Sequence, residues 1–287
     1  MKHPDPTPTP PDAAAEQARL WNGSAGQAWV TAQPILDALF APLTDLLVAH
    51  TRAAGAGRVL DVGCGTGAVT LAIAAQAAPD ACLGVDVSAP MVALARARGE
   101  RAGSGAQFVC ADAQTHPFAA ASFDRIVSRF GVMFFGDPVA ALTNLRRAAS
   151  ATGTLCCIAW RGAEANPFMT AAERAAAPCL PDLPARRPDG PGQFAFADRE
   201  RVATILARSG WRHGDVAPID VPCAMPADQL DAYGAMLGPV ARALETADPA
   251  LRARVAAAVR EGFAPFVSGG MARFPAACWL VTARTGS

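Results

Sequence analysis

The residues with the most chemical content in this chain run Asp61-Val62-Gly63-Cys64-Gly65-Thr66-Gly67. They follow a short apolar run at 58–62 and precede a helix-forming stretch at 68–76. Three glycines at alternate positions permit backbone conformations and a closeness of ligand approach that side chains would block. Two further acids close the next apolar runs, Asp86 at the end of 82–87 and Asp112 just after 107–111. A carboxylate has two acceptor oxygens and suits a pair of vicinal hydroxyls, each charge-assisted hydrogen bond contributing about 1.5–3 kcal/mol. Each acid also has a plainer reading, Asp86 as a capping or turn acid and Asp112 as ordinary turn chemistry after a strand.

The elements that must position these residues alternate. Short apolar strands are expected at 58–62, 82–87, 107–111, 123–128 and 154–160, with a helix at 68–76, one from Ser88 with Pro90 in its first turn, and one opened by Asp137-Pro138. That rhythm predicts an α/β fold, a Rossmann-like, doubly wound, mainly parallel seven-stranded sheet with helices on both faces. Its ligand belongs beyond the carboxyl ends of the strands, at the topological switch point. Leu36, Leu39, Phe40, Leu43, Leu46 and Leu47 recur at helix spacing, so two N-terminal helices are expected, broken near Pro34 and Pro42. After Trp160 the rhythm gives way to Pro- and Gly-rich sequence, then to a helix at 198–209 and strands near 216–221 and 276–282.

The expected organisation is a disordered tail at 1–18 and one domain at 19–287, with N-terminal helices at 19–50, a binding core at 51–160, and lid insertions at 161–197 and 223–273. The 287 residues are 52% hydrophobic and 17% charged, enough to bury a large core. Twenty-five basic residues balance twenty-five acidic ones, so no overall field favours a nucleic-acid partner. No apolar run reaches the ~20 residues of a membrane helix, and residues 1–16 lack a signal-peptide layout; a cytoplasmic monomer or homodimer is expected. The eight cysteines have no C-x-x-C pair and read as reduced, mostly buried hydrophobes.

The glycine spacing, G-x-G-x-G where dinucleotide folds use G-x-G-x-x-G, separates the two kinds of nucleotide site when acids end strands two and three. On these residues the stretch 58–160 resembles the class I S-adenosylmethionine-dependent methyltransferases. Residues 128–135, Ser-Arg-Phe-Gly-Val-Met-Phe-Phe, and Thr31-Ala32-Gln33 before Pro34 are similar to a small-molecule branch that includes the ubiquinone and menaquinone biosynthesis enzymes. The resemblance implies S-adenosyl-L-methionine as cofactor. Gly63, Gly65 and Gly67 would lie against its methionine part, Asp61 would reach its ammonium, and the Ser128 carbonyl would join there. Asp86 would accept from both ribose hydroxyls, Val87 and Met91 would sandwich the adenine, and Asp112 with the backbone of Ala113 would meet its amine. Met91 has the alternative of plain core packing. Gln27, Trp29 and Gln33 belong to the segment that folds over the cofactor in similar enzymes.

A sulfonium methyl is already electrophilic, so transfer to a C, N or O atom of a small apolar or aromatic metabolite needs mainly alignment, which can supply ~7–11 kcal/mol without a metal. Conspicuous bases are scarce: His3, His50 and His116 sit in tail, helix end and loop, leaving His213 and Tyr233 as weak catalytic candidates. Each has a plainer reading, His213 as surface and Tyr233 as lid packing. Arg129, Met133, Trp160, Phe196 and Tyr233 are the candidate acceptor contacts. Arg129 needs an acid, a backbone carbonyl or a substrate carboxylate as partner, and an internal ion pair at the end of strand four is its structural alternative. Two rival functions stay open: a NAD(P)-dependent oxidoreductase, disfavoured because the sole lysine is Lys2, and a binding protein that holds S-adenosylmethionine without chemistry. Nucleic-acid methylation is disfavoured because the fourth strand ends Ser128-Arg129-Phe130-Gly131 with no basic stripe.

Overall fold

Strand β1 (Val59–Val62) is buried along its whole length because it runs parallel between two neighbours, β2 (Cys82–Asp86) and β4 (Phe123–Arg129). Such a strand has no solvent face, which explains its unbroken apolar run and makes Asp61 conspicuous within it. The computed structural model describes residues 13–53, 55, 57–78, 81–183, 190–236 and 238–286. The sheet continues outward with β3 (Gln107–Cys110) beside β2 and β5 (Ala149–Trp160) beside β4, all parallel. Two antiparallel strands finish it, β8 (Met271–Arg284) beside β5 and β6 (Arg212–Pro226) at the edge. The order is β3-β2-β1-β4-β5-β8-β6, the expected seven strands, and a two-residue β7 (Val267–Ser268) is added against β8.

The chain winds outward from β1 to β3, then returns to the other side of β1 with β4. That reversal puts the switch point between β1 and β4, so the carboxyl ends at Val62, Asp86 and Arg129 share one edge. Helices α5 (Ala68–Ala74), α6 (Ala89–Arg101), α7 (Pro138–Ala148) and α9 (Arg199–Arg208) accompany the sheet. Asp137 caps α7 by accepting from the Val139 and Ala140 amides, and Asp198 caps α9 in the same way. Ser88 differs from expectation: its hydroxyl caps nothing in α6 and instead donates to the Trp21 carbonyl at 2.6 Å.

Three expectations about boundaries need correction. Residues 13–18, assigned to the tail, belong to helix α1 (Ala13–Asn22), while residues 1–12 lie outside the described residues. Four short helices replace the expected two, with α2 (Ser24–Thr31), α3 (Gln33–Leu39) and α4 (Ala41–Ala53) following α1. Pro34 falls in the first turn of α3, where its missing N–H interrupts nothing, so it opens a helix where a break was expected. Strands β6 and β8 are also far longer than 216–221 and 276–282. Pro218, Pro222 and Pro226 obscured β6, and they fit because that strand pairs on one side only.

Over the carboxyl edge α2 meets α11 (Gly238–Ala243), which packs with α8 (Ala171–Ala176) and α10 (Leu230–Met236), and α12 (Pro249–Phe263) packs against both of these. Phe168 anchors this second layer, stacked on Phe274 with centroids 3.8 Å apart and packed edge-on against Phe266. Among the described residues no helix is long and apolar enough to cross a membrane.

Candidate functional site

A cleft of about 120 Å³ opens at the switch point, walled on the sheet side by Gly63, Gly65, Asp86, Val87, Met91, Asp112 and Ala113. Helix α1 covers it with Gln17, Ala18 and Trp21, and α2 adds Trp29. The glycine turn is built for proximity on two sides. A Cβ on Gly63 would lie 2.5 Å from the Gly131 Cα, so the turn nests against the exit of β4 with no room for a side chain. Gly65 instead faces outward at φ +54°, where a Cβ would meet only the Met91 sulfur at 3.8 Å. It leaves a bare peptide cradle on the cleft.

Asp86 ends β2 and is fixed by backbone amides: Gly65 N–H donates to Oδ2 at 2.8 Å and Ser88 N–H to Oδ1 at 2.9 Å. Each oxygen keeps capacity for a second donor. Burial raises the carboxyl's pKa, and the hydrogen bonds from Ser88, Gly65 and Val87 pull it back down. Asp112 also reaches the cleft, its Oδ1 accepting from Gln114 N–H at 2.8 Å.

Asp61 and Ser128 lie beneath the glycine turn, outside the cleft lining. The Ser128 hydroxyl donates to the Val62 carbonyl at 2.7 Å and accepts from Gly131 N–H at 3.1 Å, tying the ends of β1 and β4 together. Asp61 is 1% exposed; Thr70 donates to its Oδ2 at 2.6 Å, and Oδ1 has no hydrogen-bond partner among the described residues. Burial pushes the Asp61 carboxyl up to about 6, against the opposing pull of Thr70 and Arg129. An orphaned buried acceptor is unfavourable by about 1–3 kcal/mol, so it marks a position where a donor is missing. Gly67 stands further along, at the N-cap of α5, away from the cleft.

Arg129 lines this cleft and is absent from the larger chamber described next. Its expected ion pair is not there. Nη1 donates to the Thr44 hydroxyl at 2.6 Å and the Phe40 carbonyl at 3.4 Å, and the guanidinium lies 5.7 Å from the Phe40 ring centroid. Burial lowers its pKa, with Asp37 and Asp61 acting in the opposite direction.

The second chamber, about 700 Å³, lies under the C-terminal helices. Met133, Trp160 and Tyr233 line it as expected of acceptor contacts, together with Phe40, Phe168 and Phe263. Phe196 does not: it is 3% exposed and packed into the core. Tyr233 is buried, its hydroxyl donating only to the Met169 sulfur at 3.7 Å, and burial holds the phenol far above its ordinary pKa. His213 sits exposed at a register shift in the edge strand β6, outside both cavities. Gln27 is exposed and lines neither cavity, and Gln33 donates to Asp37 Oδ2 at 2.6 Å.

One wall serves both cavities. Gln17, Trp21, Trp29, Phe130 and Phe134 line each of them. Trp21 meets Trp29 edge-on at 6.0 Å and Phe134 at 5.0 Å. Phe130 holds φ +73°, rare for a bulky side chain, and its ring stacks on Trp160 at 4.5 Å with an interplanar angle of 9°. Sequence reasoning missed Gln17, which fell within the presumed tail, and Phe130 and Phe134, which were read only as part of a motif. The abrupt end of β4 at Phe130-Gly131 was the available signal.

Residues 60–157 match a protein family described as Methyltransferase domain. An uncharacterized protein of Mycobacterium tuberculosis is 38% identical over 125 residues, 42% of this chain and 44% of its own length. A demethylmenaquinone methyltransferase of Thermus thermophilus is 36% identical over 98 residues, 34% of this chain and 44% of its own length. The matched region thus spans less than half of these curated relatives. The YcgJ protein of Bacillus subtilis superimposes with a TM-score of 0.56 over 85% of this chain and 98% of its own, at 19% identity, a likeness of fold. With the G-x-G-x-G turn, the acid-ended strands and the β3-β2-β1-β4-β5-β8-β6 sheet, residues 60–157 form a methyltransferase domain like those of the class I S-adenosylmethionine-dependent methyltransferases.

Proposed function

We propose that this chain transfers the methyl group of S-adenosylmethionine to a small, ring-bearing, largely apolar metabolite. The observation that carries the reading is the juxtaposition of two unlike cavities across one aromatic wall, a cleft with acids at the ends of β2 and β3 and an apolar chamber beside it. The residues of the cleft fit the methyl donor. Asp86 has acceptor capacity for the ribose diol, and Val87 and Met91 supply apolar surface for the adenine. Asp112 and the Ala113 backbone stand where its amine would be read, and Gly65 offers the bare cradle for the methionine part. The orphaned Asp61 Oδ1 calls for a donor, which an ammonium would provide directly or through water.

The bound donor supplies an electrophilic methyl on a sulfonium. The protein's part is then alignment and exclusion of water, which can supply ~7–11 kcal/mol. Trp21, Trp29, Phe130 and Phe134 would guide the acceptor toward the cleft, while Met133, Trp160 and Phe168 hold its apolar body. Tyr233, with its phenol kept protonated, would pack against the acceptor and leave the proton alone. The Thermus relative's name, a methyltransferase of demethylmenaquinone, agrees with a ring-bearing acceptor. Calorimetric titration with S-adenosylhomocysteine, NAD(H) and NADP(H), followed by a mass-spectrometric screen of phenolic, quinone and aryl-amine acceptors, tests the reading. Micromolar binding of S-adenosylhomocysteine and a product 14 mass units heavier are expected; nicotinamide binding without any response to S-adenosylhomocysteine would overturn it.

A further inference from the structure

We propose that Gln17 receives an oxygen of the methyl acceptor where the two cavities meet, which narrows the acceptor class to rings carrying a carbonyl or phenolic oxygen close to the atom that is methylated. The inference rests on the two-cavity reading above and names a contact that the apolar chamber by itself does not supply. Among the described residues, five line both cavities; four are aromatic, and the fifth is Gln17, which brings an amide to the junction. Its orientation is fixed by chemistry. The Trp21 indole N–H can only donate, and it donates to Gln17 Oε1 at 3.2 Å, so the carbonyl end of the amide faces Trp21 and the Nε2 end, with two donors, turns away from it. No group among the described residues accepts from Nε2.

The helix that carries Gln17 is held at both ends. Near its start, a Cβ on Gly136 would lie 2.9 Å from the Ala14 nitrogen, so α1 rests directly on that backbone. At its other end the Asn22 side chain bridges the end of β2 and the start of α6, Nδ2 donating to the Val87 carbonyl and Oδ1 accepting from the Ala89 N–H, each at 2.9 Å. The Ser88 hydroxyl adds its bond to the Trp21 carbonyl. The amide is thus presented by a fixed element, as a group that orients a ligand must be. In an open cavity water can satisfy the two donors. A ring that fills the chamber displaces that water and has to return the hydrogen bond. A ring oxygen does so, a hydrocarbon edge leaves the donors unpaired, and an ammonium, which only donates, cannot accept from them. Trp21, Trp29, Phe130 and Phe134 around the amide supply apolar surface for the rest of the ring. The competing role, a prop for the Trp21 indole, uses Oε1 and leaves Nε2 without a task.

The test titrates the S-adenosylhomocysteine complex calorimetrically with two bicyclic probes of similar shape, α-tetralone, which has a ring carbonyl, and tetralin, which lacks it, in wild type, Gln17→Glu and Gln17→Met. Comparing the ratio of the two affinities between proteins cancels the difference in hydrophobicity of the probes. At alkaline pH the glutamate keeps an oxygen for the Trp21 indole and has no proton to donate. The ratio should fall about fivefold in Gln17→Met, the net weight of one neutral hydrogen bond, and at least as far in Gln17→Glu, in both through weaker α-tetralone binding alone. An unchanged ratio in either folded variant, including equal weakening of both probes, would overturn the assignment and leave Gln17 as a prop for Trp21. Should Gln17→Met fail to fold, Gln17→Glu, which preserves the prop, still decides. Wild type that binds S-adenosylhomocysteine and neither probe removes the chamber as the acceptor site and the inference with it. Wild type that binds no S-adenosylhomocysteine removes the methyl-donor reading itself, a separate outcome.

Discussion

The two cavities are assembled in opposite ways. The sheet side of the cleft comes from one stretch, 62–136, in which strands end in sequence and turns follow at once; its specificity lies in backbone amides, two acids and a glycine cradle. The chamber draws on α1, α2, the end of β5, the segment around Phe168, and helices α10 to α12, and it is lined mainly by apolar side chains. Polar geometry on a rigid scaffold recognises one ligand closely, whereas apolar walls from several separate segments set size and shape with little orientation. The same molecule thus contains a narrow reader and a permissive container, meeting at Trp21, Trp29, Phe130 and Phe134.

Four measurements would break or sharpen that contrast. The largest effect is expected from Asp86→Ala, which removes a carboxylate holding the cradle and facing the cleft; S-adenosylhomocysteine should weaken roughly 100-fold by calorimetry, from two lost charge-assisted contacts. Binding of an apolar ring probe such as menadione in the chamber, followed by tryptophan quenching, should stay unchanged in that variant. An equal loss in both cavities would make them one site.

Next is the dependence on pH. Burial raises the folded Asp61 carboxyl to about 6, so the ionised form that can hold an ammonium is present above that value and lost as pH falls through it. S-adenosylhomocysteine affinity should therefore drop by about tenfold per unit below pH 6 and be flat above, with Asp61→Asn removing the part of the step that belongs to Asp61. For folding the sign is reversed: a carboxyl raised above its unfolded value stabilises the fold at low pH, and that contribution fades as pH rises through about 6. Asp86, whose carboxyl is also raised by burial, would broaden the step without changing its direction.

A smaller effect is expected at the shared wall. Trp29→Ala should weaken both S-adenosylhomocysteine and the ring probe by about fivefold, the scale of one aromatic contact, where variants of either cavity alone weaken one ligand. The smallest belongs to Tyr233→Phe, which removes only a 3.7 Å contact with sulfur; the methyl-transfer rate should change by less than about twofold. A rate loss of a hundredfold or more would make Tyr233 catalytic and the chamber chemically active.

The contrast also explains what could be read from the amino-acid order. The turn at 61–67 and the acids Asp86 and Asp112 were legible because their spacing is local and each follows an apolar strand, so the chain itself carries them to the carboxyl edge. The run from Trp160 onward was not, since nothing local reveals that Phe168 stacks on Phe274 or that Phe196 turns into the core, away from the chamber. Pro34 and the prolines of β6 misled for a related reason: proline forbids a donor at one position, and whether that position needed one depends on its neighbours in space. Arg129 was expected to find an acid, a backbone carbonyl or a substrate carboxylate, and the fold brought it a peptide carbonyl together with a threonine hydroxyl in place of the ion pair.

Phe130 stands with one face on Trp160 and its edge toward Phe40, while belonging to both cavities. A ring so placed cannot respond to one occupant without altering what the other meets. Thermodynamic reciprocity then fixes a relation between the two ligands: whatever factor the donor imposes on acceptor affinity, the acceptor must impose on the donor. In the proposed reaction product release would be subject to the same constraint, because loss of the methyl from sulfur would change the charge on one side of this wall while the methylated ring would leave from the other.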